Sequence, residues 1–180
     1  MRIRFQILFY LIFLILSGCN NEKQFVSKIK FENLPDEIVD SVYTIQTNID
    51  KTERKIIAKT FMRFYEKNVS IADSLTITNF DEFGKLKYEI YCDSAFINEK
   101  ENIFNAYGNV FVKNKEASLS TEFLKWDRNT NKLFSPEYVK IDRKNSILEG
   151  YNLKTDMKLE NFELTKVRAE GDLSEENIDY

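Results

Sequence analysis

Residues 106–127 read AYGNVFVKNKEASLSTEFLKWD. β-Branched and aromatic residues alternate with polar ones on both sides of the polar segment Lys113–Glu116. Alternation of period two marks a strand with one buried face, and the polar interruption marks a turn. The stretch is therefore a hairpin, and it recurs. Tyr91, Ala95 and Asn98 fall over Ser120, Leu124 and Asp127, and these over Glu149, Leu153 and Asp156, each at an offset of 29 residues. Phe104, Val110 and Val112 stand over Leu133, Val139 and Ile141 at the same offset, and Phe162 continues the series from Leu133. An earlier copy places Ala58 and Phe61 before Cys92 and Ala95 by 34 residues. Each unit is a strand, a polar turn carrying Asp or Asn, and a second strand. A single hairpin cannot bury its apolar face alone, so the units must stack.

The same alternation extends to the N-terminal side in SVYTIQTNI, IIAKTFMRFY, SLTITNF and KLKYEIY, separated by turn signals such as NIDKTER and NFDEFGK. No window holds a helical period for more than a couple of turns, and the spacing of turns suggests an all-β sandwich, barrel or jelly roll. One face of the repeat collects Phe104, Ala106, Gly108, Val110 and Val112, and in the next unit Leu133, Ser135, Val139 and Ile141. Leu124 and Trp126 share a side, as do Tyr151 and Leu153, while Asn109, Lys113, Lys140 and Lys154 read as solvent-facing. Gly108-Asn109 has the composition of a turn, yet the alternation runs through it. A bulge or a close backbone approach is the better reading, with Gly150 at the corresponding stage of a later strand. The inward set could pack shut as a sandwich core or leave an apolar trough, and alternation alone is the same for both.

The N-terminus is of a different kind. Arg2 and Arg4 precede an unbroken apolar run, Ile7–Leu16, too short to span a bilayer but right for a signal-peptide core. It ends in Leu16-Ser17-Gly18-Cys19, the pattern of a bacterial lipobox, so residues 1–18 are expected to be a signal peptide and Cys19 the lipid-bearing residue. Residues 19–41 then form a tether, 42–171 the domain, and 172–180 a flexible acidic tail. Without Arg2 and Arg4 the net charge falls from −3 to −5, which is no footprint for nucleic acid. Cys92 is left without a disulfide partner and reads as a small buried hydrophobe rather than a reactive thiol.

There is no His in the chain, which excludes Ser-His-Asp, Cys-His and His-bearing metal sites. Glu122 with Asp127, or Asp93 with Asp156, could be imagined as an acid/base pair. Asp127 and Asp156, however, recur at equivalent places beside turns, where Asp bonds to backbone. No enzyme activity, metal or cofactor is expected.

The segment 107–156 resembles the LptC-like family of lipopolysaccharide-export proteins in the organic-solvent-tolerance superfamily. The residues that carry the likeness are Gly108-Asn109-Val110, the Leu119-x-Thr121-Glu122-x-Leu124-x-Trp126-Asp127 run, Ser135 with Val139, and Gly150-x-x-Leu153-x-x-Asp156. The resemblance covers roughly residues 42–171. It implies a half-open, twisted β-jelly roll of consecutive hairpins that holds acyl chains and pairs end to end with neighbouring jelly rolls across the periplasm. Familiar members are held by an N-terminal helix; here the lipobox would supply the tether, to the inner rather than the outer membrane.

On this reading the groove lining is Phe104, Val110, Val112, Leu124, Trp126, Leu133, Val139, Ile141, Leu153, Phe162 and Leu164. The last strand, with Phe162, Leu164, Lys166 and Val167, is expected to be an unpaired edge that docks a partner by strand addition. The implied partners are lipopolysaccharide or a related glycolipid, the membrane subunits of an export ABC transporter, and a bridging periplasmic jelly-roll protein. The competing reading is a lipid-anchored β-sandwich scaffold or adhesin with a closed core that binds only protein.

Overall fold

A computed structural model describes residues 34–171. Ten strands follow one another: β1 (Glu37–Asn48), β2 (Lys51–Phe64), β3 (Val69–Phe80), β4 (Leu86–Asn98), β5 (Ile103–Asn114), β6 (Ala117–Asp127), β7 (Lys132–Ser135), β8 (Val139–Arg143), β9 (Ser146–Asp156) and β10 (Glu163–Gly171). They form one antiparallel sheet in sequence order, with β7 and β8 sharing the place between β6 and β9. This is the all-β stack of hairpins that the repeat requires. Pairing begins at Glu37, inside the stretch read as tether, because polar Glu37 and Asp40 find partners on β2: Arg63 and Thr60.

A sheet with a simple two-residue period would bury every second side chain along each strand. Here the period slips once along each of β2, β3, β4, β6 and β9. The inward pairs Ala58/Phe61, Ala72/Leu75, Cys92/Ala95, Thr121/Leu124 and Gly150/Leu153 are each three residues apart. The slips lie side by side. Phe61 pairs with Ala72, Ala72 with Ala95, and Ala106 with Leu124, while Leu75 pairs with Cys92, Thr121 with Val139, and Val139 with Gly150. Two parallel rows of inward residues therefore cross the whole sheet and bracket a transverse crease.

The backbone along the crease shows how it is made. Ser74, Gly108, Asn109 and Asn152 have φ between 45° and 69°, and Ser41 and Lys166 continue the line on the two outermost strands. Left-handed residues change the direction of a strand without ending it. At Gly108 the ladder between β5 and β6 shifts register between Tyr107 and Val110, so the bulge expected there is present. Small side chains, Ala72, Ala95, Ala106 and Ser135, take four places in the row on one side of the bend, beside the larger Phe61, Leu124 and Leu153.

The crease folds the sheet onto itself. Tyr88 lies beside Asn114 of β5, and Trp126 beside Phe104 of the same strand. Ten residues of straight strand would separate those neighbours by about 33 Å. The Tyr88 and Trp126 rings are nevertheless 6.0 Å apart, edge to face. The sheet thus has two leaves that share one apolar interior, a single cluster running from Ala58 to Leu159. One end of the interior is capped by the β9–β10 loop: Asn114 donates to the carbonyls of Met157 and Lys158, and Arg143 to those of Leu159 and Glu160. Met157 and Leu159 are buried beneath it.

Candidate functional site

The leaves meet through the residues expected to line a groove. Phe104, Val110, Val112, Leu124, Leu133, Val139, Ile141 and Leu153 are at most 1% exposed, and Trp126 is nearly buried. Phe162 and Leu164 are half-buried and pack against the same cluster. All eleven face inward. Trp126 stands between Tyr88 and Phe104, each ring approaching edge to face, and its Nε1 donates to Asn131 Oδ1 at 3.3 Å. Leu75, Ile90 and Leu119 belong to the same interior and were not among the expected lining. One side assignment fails. Tyr151 is 41% exposed on the outer face against Tyr138, not beside Leu153, because the left-handed Asn152 between them inverts the alternation.

A small polar contact crosses the crease deep in the interior of the second half. Thr121 and Ser135 hydroxyls lie 3.1 Å apart, and Thr121 Oγ1 also donates to the Tyr138 carbonyl at 2.9 Å. These bonds satisfy the hydroxyls that the interruption between β7 and β8 brings inside.

The sheet does not close into a barrel. β1 pairs only with β2 and β10 only with β9, so each presents an unpaired edge among the described residues. Phe162 lies just before β10, and Leu164, Lys166 and Val167 lie on it, as expected for the last edge. Its ladder with β9 is broken twice, between Glu163 and Thr165 and again between Thr165 and Arg168, with Lys166 in a left-handed conformation. β1 is the more apolar of the two edges. Ile38, Val39, Tyr43 and Ile45 on it are all exposed.

The carboxylates considered for catalysis do other work. Asp127 Oδ1 accepts from the backbone N–H of Asn129 and Thr130, and Asp156 Oδ1 from that of Lys158, as turn caps. The Thr130 hydroxyl, with these N–H groups, holds the Asp127 carboxyl below its usual range. Asp93 accepts from Asn109 Nδ2 at 2.7 Å and from the Tyr91 hydroxyl at 3.0 Å, on the outside of the bend. Cys92 is fully buried, and burial, with Asp93 adding to it, pushes its thiol up to about 12. Among the described residues no group of His, Cys, Asp and Glu could hold a metal ion. Cys19 lies outside the described residues.

A folded, unclosed sheet of hairpins with an apolar interior is the geometry to which the comparisons with known proteins speak. The family described as "Lipopolysaccharide-assembly, LptC-related" matches residues 7–172. The chain belongs to the LptC-related family. Among solved structures, LptH from Pseudomonas aeruginosa is similar in fold, with a TM-score of 0.53 over 62% of this chain and 80% of that one, at 9% identity. Its title describes it as the LptA homologous periplasmic component of the conserved lipopolysaccharide transport device. No curated protein matches the sequence. As an LptC-related protein, the chain is a non-enzymatic, periplasmic component of lipopolysaccharide transport in the cell envelope, built on the jelly-roll fold.

Proposed function

We propose that this LptC-related chain shelters the acyl chains of a glycolipid between its two leaves and passes them along a row of similar jelly rolls. The observation that carries the reading is the folded but unclosed sheet: a continuous apolar inner face between two unpaired edges. A lipid crossing an aqueous compartment must hide its chains, and burying apolar surface contributes roughly 25 cal/mol per Å². Parting the leaves along the crease would exchange contacts between side chains for contacts with acyl chains at little net cost. The partners are the membrane subunits of an export ABC transporter on one side and a bridging jelly-roll protein on the other, each docked at an edge by strand addition. A lipid on Cys19 holds the domain at the inner membrane, with residues 19–36 as the tether.

The chain has one Trp, Trp126, and it points into the interior. Brominated acyl chains quench indole emission only at contact, so they report occupancy of the interior directly. Titrating the purified protein with a glycolipid bearing brominated chains is expected to quench Trp126 saturably. Unquenched emission with bromolipid in excess would instead favour the scaffold reading, a closed sandwich that binds protein alone.

A further inference from the structure

The strand ends farthest from the crease form two rims that face each other, and the β9–β10 loop runs from one to the other. Its root is on the leaf of Trp126: Asp156 pairs with Lys132, and Lys132 with Asp127. Its latches come from the opposite leaf. Asn114 pairs with Tyr88 at the end of β5, and Arg143 with Ala117 and Ser146 at the end of β8. Asn114 Oδ1 accepts from the N–H groups of Glu116 and Ala117 at 2.8 Å, which turns its amide nitrogen toward the loop. There it donates to the carbonyls of Lys158 at 2.8 Å and Met157 at 3.1 Å. Arg143 Nη2 donates to those of Leu159 and Glu160, and the guanidinium stands 4.9 Å from the centre of the Phe162 ring.

This contact is built to open. Side chains hold the loop to the opposite leaf, so it can leave without dismantling a strand ladder, and local openings draw on bonds of this kind. Open space flanks it as well. A cavity of about 270 Å³ is lined by Arg143, Lys144, Lys158 and Leu159, and another of about 450 Å³ by Leu133, Phe134, Thr155 and Phe162. Leu159 is held at φ +54°, a conformation that a side chain disfavours and that release would relieve. The loop inserts Met157 and Leu159 into the interior, and acyl chains offer the interior the same apolar contacts that these two side chains supply.

We propose that residues 157–162 are a releasable strap across the mouth, latched by Asn114 and Arg143, and that its opening admits acyl chains to the interior. The identity of the guest rests on the acyl-chain reading above; the strap itself does not. Trp126, Leu133 and Thr155 are successive partners across β6, β7 and β9. The Trp therefore lies two strands from the root of the strap, roughly 10 Å away, where it senses a chain that enters there.

Thiol labelling of the full chain tests the strap without any lipid. Met157→Cys places a buried thiol on the strap, and fully buried Cys92 reports on opening of the whole fold. Labelling by N-ethylmaleimide, read peptide by peptide by mass spectrometry, is expected to be at least about tenfold faster at position 157 than at Cys92. Added to that background, Asn114→Asp should speed it a further threefold or so and Arg143→Gln about tenfold, with Cys92 unaffected. Asn114→Asp keeps the bonds to its own turn, so it reports even if the arginine variant folds poorly. Labelling at 157 no faster than at Cys92, or both accelerated alike, would overturn the strap. A second arm follows the rate at which a brominated glycolipid quenches Trp126. A several-fold faster onset in Asn114→Asp and Arg143→Gln, with the final extent unchanged, is expected. An unchanged onset despite faster labelling would overturn the strap as the entrance. Faster labelling with no quenching in any chain, wild type included, would refute the acyl-chain reading and leave the strap standing.

Discussion

Gly108 shows how much of the fold rests on one residue. It sits at φ +69°, and a Cβ built on it would lie 2.8 Å from Asp93 Oδ2 on the outside of the bend. Gly108→Ala would add both a strained backbone conformation and a clash, costing roughly 1–3 kcal/mol. A lowered melting temperature by calorimetry is expected, and an unchanged one would show that the crease does not depend on this bulge. Cys92 offers a test of burial in the same row. Burial pushes its thiol in the folded chain up to about 12 from an ordinary value of 9.0. Between those values the folded chain keeps a proton that the unfolded chain releases, so stability falls as pH rises through that window. Denaturant unfolding from pH 8 to 11 should show a smaller loss in Cys92→Ala than in the wild type. Equal slopes would mean that the thiol is not shielded as its position implies.

At the scale of the element, β10 carries the edge hypothesis. Val167 is 52% exposed and falls in a gap of the β9 ladder, between the Thr165–Tyr151 and Arg168–Glu149 pairs. A proline there removes an edge N–H while leaving the flanking pairs intact, whereas at Lys166 the ring could not adopt the φ of +52°. Val167→Pro is expected to leave thermal stability within about 1 kcal/mol and to abolish capture of the next jelly-roll protein in a pull-down. Retained capture would move the interface away from β10. The strands themselves were legible in the sequence because period-two alternation survives wherever one face is buried. The crease was legible only as a repeat: the 29-residue offset relates Cys92/Ala95 to Thr121/Leu124 and Gly150/Leu153. That these pairs invert the alternation was hidden, since a left-handed Asn152 leaves no mark in hydropathy. Tyr151 was misplaced for that reason. The cap was hidden too, because Met157 and Leu159 lie in a stretch whose Asp, Lys and Asn read as an exposed turn.

For the whole molecule, the repeat dictates a sheet, the crease folds it, and the folding places eleven expected side chains on one interior. What sequence patterning could not supply is contact between residues that share no repeat. Tyr88 and Trp126 occupy unrelated stages of their hairpins and come together only because the leaves do. The same folding makes the interior the natural place for a guest with hydrocarbon chains, and the unpaired edges the natural place for neighbours. Photo-crosslinking in living cells tests this most directly, with the crosslinker placed in turn at inward Trp126, Val139 and Leu164 and at outward Lys113 and Lys140. Glycolipid captured at the inward positions and not at the outward ones is the result expected. Capture at neither set, or equally at both, would contradict an interior that carries lipid.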